Sequence, residues 1–120
     1  MTRVVGKITV PTAGTPIQLS AQAAFTAALT RAGLATTFVK VHAVHFQALP
    51  GNSGKVYLGE SGLVKATYVL VGFTFPAPTS GFFPTFGITE ETSPAGVDCS
   101  VIWLDVDTSG EGLSVMVEIT

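Results

Sequence analysis

Asp105-Val106-Asp107-Thr108-Ser109-Gly110 carries the strongest chemical suggestion in the chain. It reproduces the first six positions of a calcium-binding loop, with oxygen donors at positions 1, 3 and 5 and glycine at 6. Such a loop closes on a bidentate carboxylate at position 12, which here is Met116. Strand-like sequence also stands where that motif has helices, so the stretch reads as an acidic turn. His42 and His45 could form a metal pair. Three-residue spacing in extended chain directs them to opposite faces unless a bulge intervenes, and the sequence offers no third ligand. No metal and no cofactor is expected.

Two glycine-rich stretches invite other chemistry. Pro50-Gly51-Asn52-Ser53-Gly54-Lys55 resembles the end of a phosphate-binding loop. That motif needs glycine where Leu49 stands and a hydroxyl where Val56 stands. The stretch is expected to be a tight hairpin turn in which Asn and Gly take positive φ. Gly59-Glu60-Ser61-Gly62-Leu63 flanks a serine with glycines, but a nucleophile elbow places its second glycine two residues after the serine and leads into a helix. This too is expected to be a turn, and no catalytic residue is assigned. Cys99 is the sole cysteine, which excludes an intrachain disulfide and suggests a buried thiol.

The elements that would position these residues are short and β-rich. Strands are expected over residues 4–10, 17–19, 38–49, 55–58, 68–75, 85–88, 101–106 and 113–119, separated by Gly, Pro, Asn and Ser clusters. In the last of these Leu113, Val115, Val117 and Ile119 alternate with Ser114, Met116 and Glu118, giving one buried face and one wetter face. Ile102, Leu104 and Val106 do the same in the preceding strand, and the turn-forming residues 107–112 suggest a hairpin between the two. Trp103 then points away from the core as a candidate partner contact. In the long strand the inward phase changes between Val41 and Val44, which a β-bulge near Ala43 would explain. Phe25, Ala28, Leu29 and Ala32 recur at helical spacing, so a helix is expected over residues 20–33, capped by Ser20 and ended by Gly33. The fold class is mostly β: one antiparallel β-sandwich domain over residues 1–120, jelly-roll-like, of about eight strands with one short helix.

Composition bounds the function. Charged residues make up 12% of the 120, about half the roughly 25% usual in soluble domains. A chain with so few charges either exposes apolar surface or covers it with partners. Six basic residues, scattered singly in a chain of net charge −2, give no footprint for direct nucleic-acid binding. The longest charge-free stretch, residues 66–89, is broken by Pro76, Pro78 and Pro84, so it cannot be a membrane-spanning helix. The first residues show no signal-peptide pattern, and synthesis and retention in a cytoplasm are expected. That charge-free stretch also concentrates Tyr68, Phe73, Phe75, Phe82, Phe83 and Phe86. Phe82 and Phe83 fall in a loop where exposure to water is costly. They join Trp103 as candidate interface residues.

The block Gln47-Ala48-Leu49-Pro50-Gly51-Asn52-Ser53-Gly54-Lys55-Val56-Tyr57-Leu58-Gly59-Glu60-Ser61 and the closing block from Ile102-Trp103-Leu104-Asp105 to Gly112-Leu113-Ser114-Val115 resemble the small head and virion structural proteins of tailed phages. In that group a turn-strand-turn of this kind is followed later by a block leading into the final hairpin. The resemblance covers roughly half the chain and is structural, so no active-site residue carries over. It implies a non-enzymatic capsid decoration (cement) protein that self-associates, as a trimer, and binds the assembled lattice of the major capsid protein on the virion surface. Its binding to the lattice and not to free subunits would oppose disassembly by mass action, multiplied over many equivalent sites. The rival readings are a tail, connector or spike component of the same particle and, more remotely, a small β-barrel ligand-binding module or enzyme.

Overall fold

The structure, a computed structural model, describes residues 2–34, 40–79, 81–89 and 96–119. Among these residues ten strands occur in chain order: β1 (Thr2–Thr9), β2 (Ile17–Gln18), β3 (Lys40–Val41), β4 (Ala43–Ala48), β5 (Val56–Val64), β6 (Val69–Phe75), β7 (Thr85–Thr89), β8 (Val97–Asp98), β9 (Trp103–Val106) and β10 (Gly112–Ile119). The α-helix α1 (Ala23–Arg31) lies between β2 and β3. Eight strands form two antiparallel four-stranded sheets, ordered β1-β10-β4-β7 and β2-β9-β5-β6. The short β3 and β8 pair separately.

Alternation places the core between the sheets. Leu113, Val115, Val117 and Ile119 line one inner face, and Val56, Leu58, Leu104 and Val106 line the other, all buried in one cluster. Two aromatic contacts tie the sheets together. Phe46 of β4 meets Phe75 of β6 edge-on at 6.5 Å, and Phe73 of β6 stacks on Phe86 of β7 at 4.3 Å. Phe46 and Phe75 are fully buried, and each contributes about 2 kcal/mol. The expected β-sandwich with one short helix is the observed architecture.

Several local expectations are corrected. Strands β9 and β10 do not form a hairpin. β9 pairs with β2 and β5, β10 pairs with β1 and β4, and residues 107–111 carry the chain from one sheet to the other. Both strands bury one full face, so each serves a different layer of the sandwich. Residues 49–55 likewise cross between sheets. They turn through Asn52 N–H to Leu49 C=O (3.1 Å), and neither Asn52 nor Gly51 nor Gly54 takes positive φ. The Asn52 amide is instead buried against Gly112, donating to its carbonyl (2.8 Å) and accepting from its N–H (3.3 Å). That role stands in for a missing strand partner.

The expected bulge at Ala43 is also replaced. Of the segment 38–49, residues 38 and 39 lie outside the described residues. From Ala43 onward β4 pairs with β10 in unbroken register, and the phase change comes from a bend at His42 that hands the chain from β3 to β4. Val41 and Val44 are therefore both buried.

Helix α1 starts at Ala23 with Gln22 at the cap position, and Ser20 caps nothing. It lies in a 3-10 turn, Leu19–Ala21, drawn inward because Leu19 is fully buried and its N–H bonds Ile102 C=O (2.9 Å). The other end matches expectation. Gly33 adopts φ 75°, Gly33 N–H bonds Thr30 C=O (3.0 Å), and Leu34 N–H bonds Leu29 C=O (2.9 Å), a Schellman closure. Because β2 has only two residues, the inner face of β1 lacks a strand opposite it. Phe25, Ala28 and Leu29 of α1 fill that place, and a β-carbon on Gly6 would lie 3.2 Å from the Ala24 carbonyl oxygen.

Candidate interaction surfaces

Strand β5 begins regularly, with Val56, Tyr57 and Leu58 opposite Phe75, Thr74 and Phe73 of β6. At Gly59 the ladder slips. Gly59 faces Val71 and the next pair is Val64 with Val69, so residues 60–63 oppose Leu70 alone. A β-carbon on Gly59 would overlap the Leu70 carbonyl oxygen, so only glycine permits this approach. Gly62 (φ 85°), Tyr68 (φ 58°) and Leu70 (φ 56°) all take left-handed backbone, a cost for the two side-chain-bearing residues.

The result is a hairpin flap, residues 60–70, folded back over the outer face of the second sheet. In a straight strand Lys65 would lie about 30 Å from Val56. Instead its ammonium donates to the carbonyl of Val106, the residue paired with Val56, and stands 3.6 Å from the Asp107 carboxylate. Tyr68 packs edge-on against Tyr57 at 5.9 Å. Leu63 and Tyr57 are buried outside the main core cluster. The Tyr57 phenol donates to Asp107 (3.0 Å). Burial first, and the Asp107 carboxylate second, push its pKa up to about 12. The expectation of a simple turn over residues 59–63 is therefore corrected. Ser61 is exposed within the flap.

The outward side of the flap is apolar. Tyr68, Val69, Leu70 and Val64 are each about half exposed, and Val101 is 57% exposed beside them. Leu70, Val101 and Trp103, with Glu60, Ser61 and Ser100, line a groove of about 290 Å3. Trp103 thus stands on the face away from the core, half-buried in this groove. A second apolar site lies in the loop between β6 and β7. There Phe82 N–H closes a turn onto Thr79 C=O (2.9 Å), and Phe82 and Phe83 are 61% and 37% exposed. Pro84 is buried, and its carbonyl accepts from Ala48 N–H (2.9 Å), which anchors the loop to β4. Neither phenylalanine joins the core.

The acidic turn has a structural occupation. The Asp105 carboxylate is buried and accepts from Gly14 N–H (2.9 Å) and Val106 N–H (2.8 Å). Ser109 Oγ accepts from Ala13 N–H (2.9 Å). Glu111 accepts from Ser53 N–H (2.7 Å), Ser53 O–H (2.9 Å) and Gly54 N–H (2.9 Å). Burial works to raise the Glu111 pKa, but these three donors outweigh it and hold the carboxyl below its ordinary value. Cys99 is fully buried, and its thiol is pushed up to about 12 by burial and then by Asp98. His45 lies on the outer face of the first sheet, 3.7 Å from Glu118, which also pairs with Arg3 (3.2 Å). His42 sits at the bend before β4. Among the described residues no three His, Cys, Asp or Glu side chains converge on a metal-sized site. No described helix is long and apolar enough to cross a membrane.

The flap was missed at sequence level. Val69-Leu70-Val71 reads as core strand, and only the close spacing of Gly59 and Gly62 hinted at an irregularity. Comparison of the chain with family profiles, with curated proteins and with solved structures finds no match.

Proposed function

We propose that the chain is a non-enzymatic structural subunit of a tailed-phage particle, a capsid decoration (cement) protein that self-associates as a trimer and docks onto the assembled lattice of the major capsid protein. The observation that carries the reading is surface chemistry. A chain with 12% charged residues presents two separate apolar sites, the flap with Val101 and the Phe82–Phe83 loop. Large exposed apolar side chains grouped in this way mark contact surfaces. Two separate sites suit a subunit that must hold both its own copies and a shell.

The strand order supports a jelly-roll reading of the sandwich. Every passage along the eight principal strands crosses between sheets except β5 to β6, and each sheet places β10 or β9 between strands distant in sequence, as two interleaved Greek keys require. Residue resemblance, low charge and this order all favour a virion subunit.

The test is co-sedimentation of the purified protein with undecorated, expanded phage shells, alongside light scattering of the free protein. Saturable binding to shells, with none to free capsid subunits, is the expected outcome. A protein that stays monomeric and ignores every shell would overturn the reading.

A further inference from the structure

We infer that the flap is the self-association site: the ridge formed by Tyr68 and Val69 of one copy enters the groove formed by Leu70, Val101 and Trp103 of another. This deepens the self-association part of the reading above, and names the surface responsible. Three observations carry it.

The first is area. Val64, Tyr68, Val69, Leu70 and Val101 stand about half exposed. Together they offer roughly 400–500 Å2 of largely apolar surface divided between ridge and groove, so one head-to-tail contact buries about that much over both partners, the apolar centre of a small interface. No other exposed apolar group among the described residues reaches this size, since the Phe82–Phe83 loop has two members.

The second is shape. A protruding ridge and an open groove of about 290 Å3 lie side by side on one face. That volume, at the lower bound of small-molecule sites, has room for a single large side chain. A second copy supplies the ridge that the groove fits. Its Tyr68 brings an apolar ring for Leu70, Val101 and Trp103, and a phenol O–H that can donate to the Glu60 carboxylate or the Ser61 and Ser100 hydroxyls in the same groove. Ridge and groove are different parts of the surface, so the contact is head-to-tail and can close into a ring such as a trimer.

The third is strain. Tyr68 and Leu70 both hold left-handed backbone, which side-chain-bearing residues rarely adopt, and both are apolar and exposed. Backbone strain that faces solvent on apolar residues is the pattern expected where a contact requires that presentation.

The test uses the full chain in sedimentation equilibrium and light scattering. Tyr68→Gly removes the ridge and relieves the left-handed strain but gives up the edge-on contact with Tyr57, so the melting temperature should stay within a few degrees of wild type while self-association weakens about thirtyfold or more. Val101→Glu places a charge in the groove from a residue that is already largely solvated, and should do the same. Mixing the two variants should restore pairs through the one contact left intact, Tyr68 of the Val101→Glu copy in the groove of the Tyr68→Gly copy. Wild-type association in both variants would overturn the inference, as would a wild-type protein that is monomeric at about 100 µM. Shell binding separates this outcome from the wider reading. Association through the flap without shell binding removes the virion role and leaves the contact. Shell binding by an oligomer indifferent to both substitutions removes the contact and leaves the role.

Discussion

At the residue scale, the chemistry suggested by the acidic turn turns out to be structural. Asp105, Asp107 and Glu111 each accept hydrogen bonds from a neighbouring chain segment: Gly14 to Asp105, Tyr57 and Lys55 to Asp107, Ser53 and Gly54 to Glu111. Carboxylates that accept backbone N–H groups hold crossing loops together. Glu111 joins two of the passages that carry the chain between the sheets, residues 49–55 and 107–111. Its pKa is lowered in the folded state, so its contribution is present above the unfolded value and is lost as pH falls through the folded one. Glu111→Gln should therefore lower stability by about 1 kcal/mol at about pH 7, through loss of hydrogen bonds to a charge at a solvent-screened site. The gap from wild type should close in acid, below the ordinary glutamate range. Thermal melts of both proteins across that range check it, and a gap that stays constant with pH would show that Glu111 acts without its charge.

At the element scale, the periodic parts of the fold were legible and the aperiodic ones were not. The alternation of β10 and the four-residue repeats of α1 each report burial on a single face, so their inner residues could be read directly. Which strand pairs with which could not, because alternation fixes the face and says nothing of the sheet. The β9–β10 connection has hairpin composition and nevertheless crosses the sandwich. The flap was hidden for another reason. Its fold-back depends on a glycine that lets two backbones touch, and on two left-handed residues, Tyr68 and Leu70, of types that seldom mark turns. Gly59→Ala isolates that cause. Its methyl group would overlap the Leu70 carbonyl, so the substitution should cost about 2 kcal/mol or more. Gly51→Ala, at a glycine with open space around it, should be near neutral. Denaturant unfolding of the pair measures the difference, and equal stabilities would mean that the flap can re-register without Gly59.

At the scale of the whole molecule, the accessible surface of 6,070 Å2 matches the ~6,100 Å2 that scaling gives for a monomer of 12.4 kDa. The shape is ordinary, so the scarcity of charge is a property of what covers the surface. Trp103, Phe82 and Phe83 were legible as candidates because aromatic residues in loops and on outer strand faces stand out. The Val64–Leu70 surface was not, since its apolar run reads as core. Under the proposed role the two apolar sites make separable demands on an assembly, with the flap assigned to copies of the chain and the Phe82–Phe83 loop to the shell. The loop is anchored below its tip by buried Pro84 and its bond to Ala48, while the two rings stand outside the core. Replacing both with serine should leave the melting temperature within a few degrees of wild type, because neither ring supports the inner faces. The same variant should keep the oligomeric state set by the flap. Its affinity for undecorated shells should fall at least about thirtyfold, the usual consequence of truncating aromatic anchors at a desolvated contact. Co-sedimentation with shells, read beside light scattering and a thermal melt, separates the three quantities. An unfolded double variant would make the loop a lid on the core, and loss of oligomers with shell binding intact would exchange the roles of the two sites.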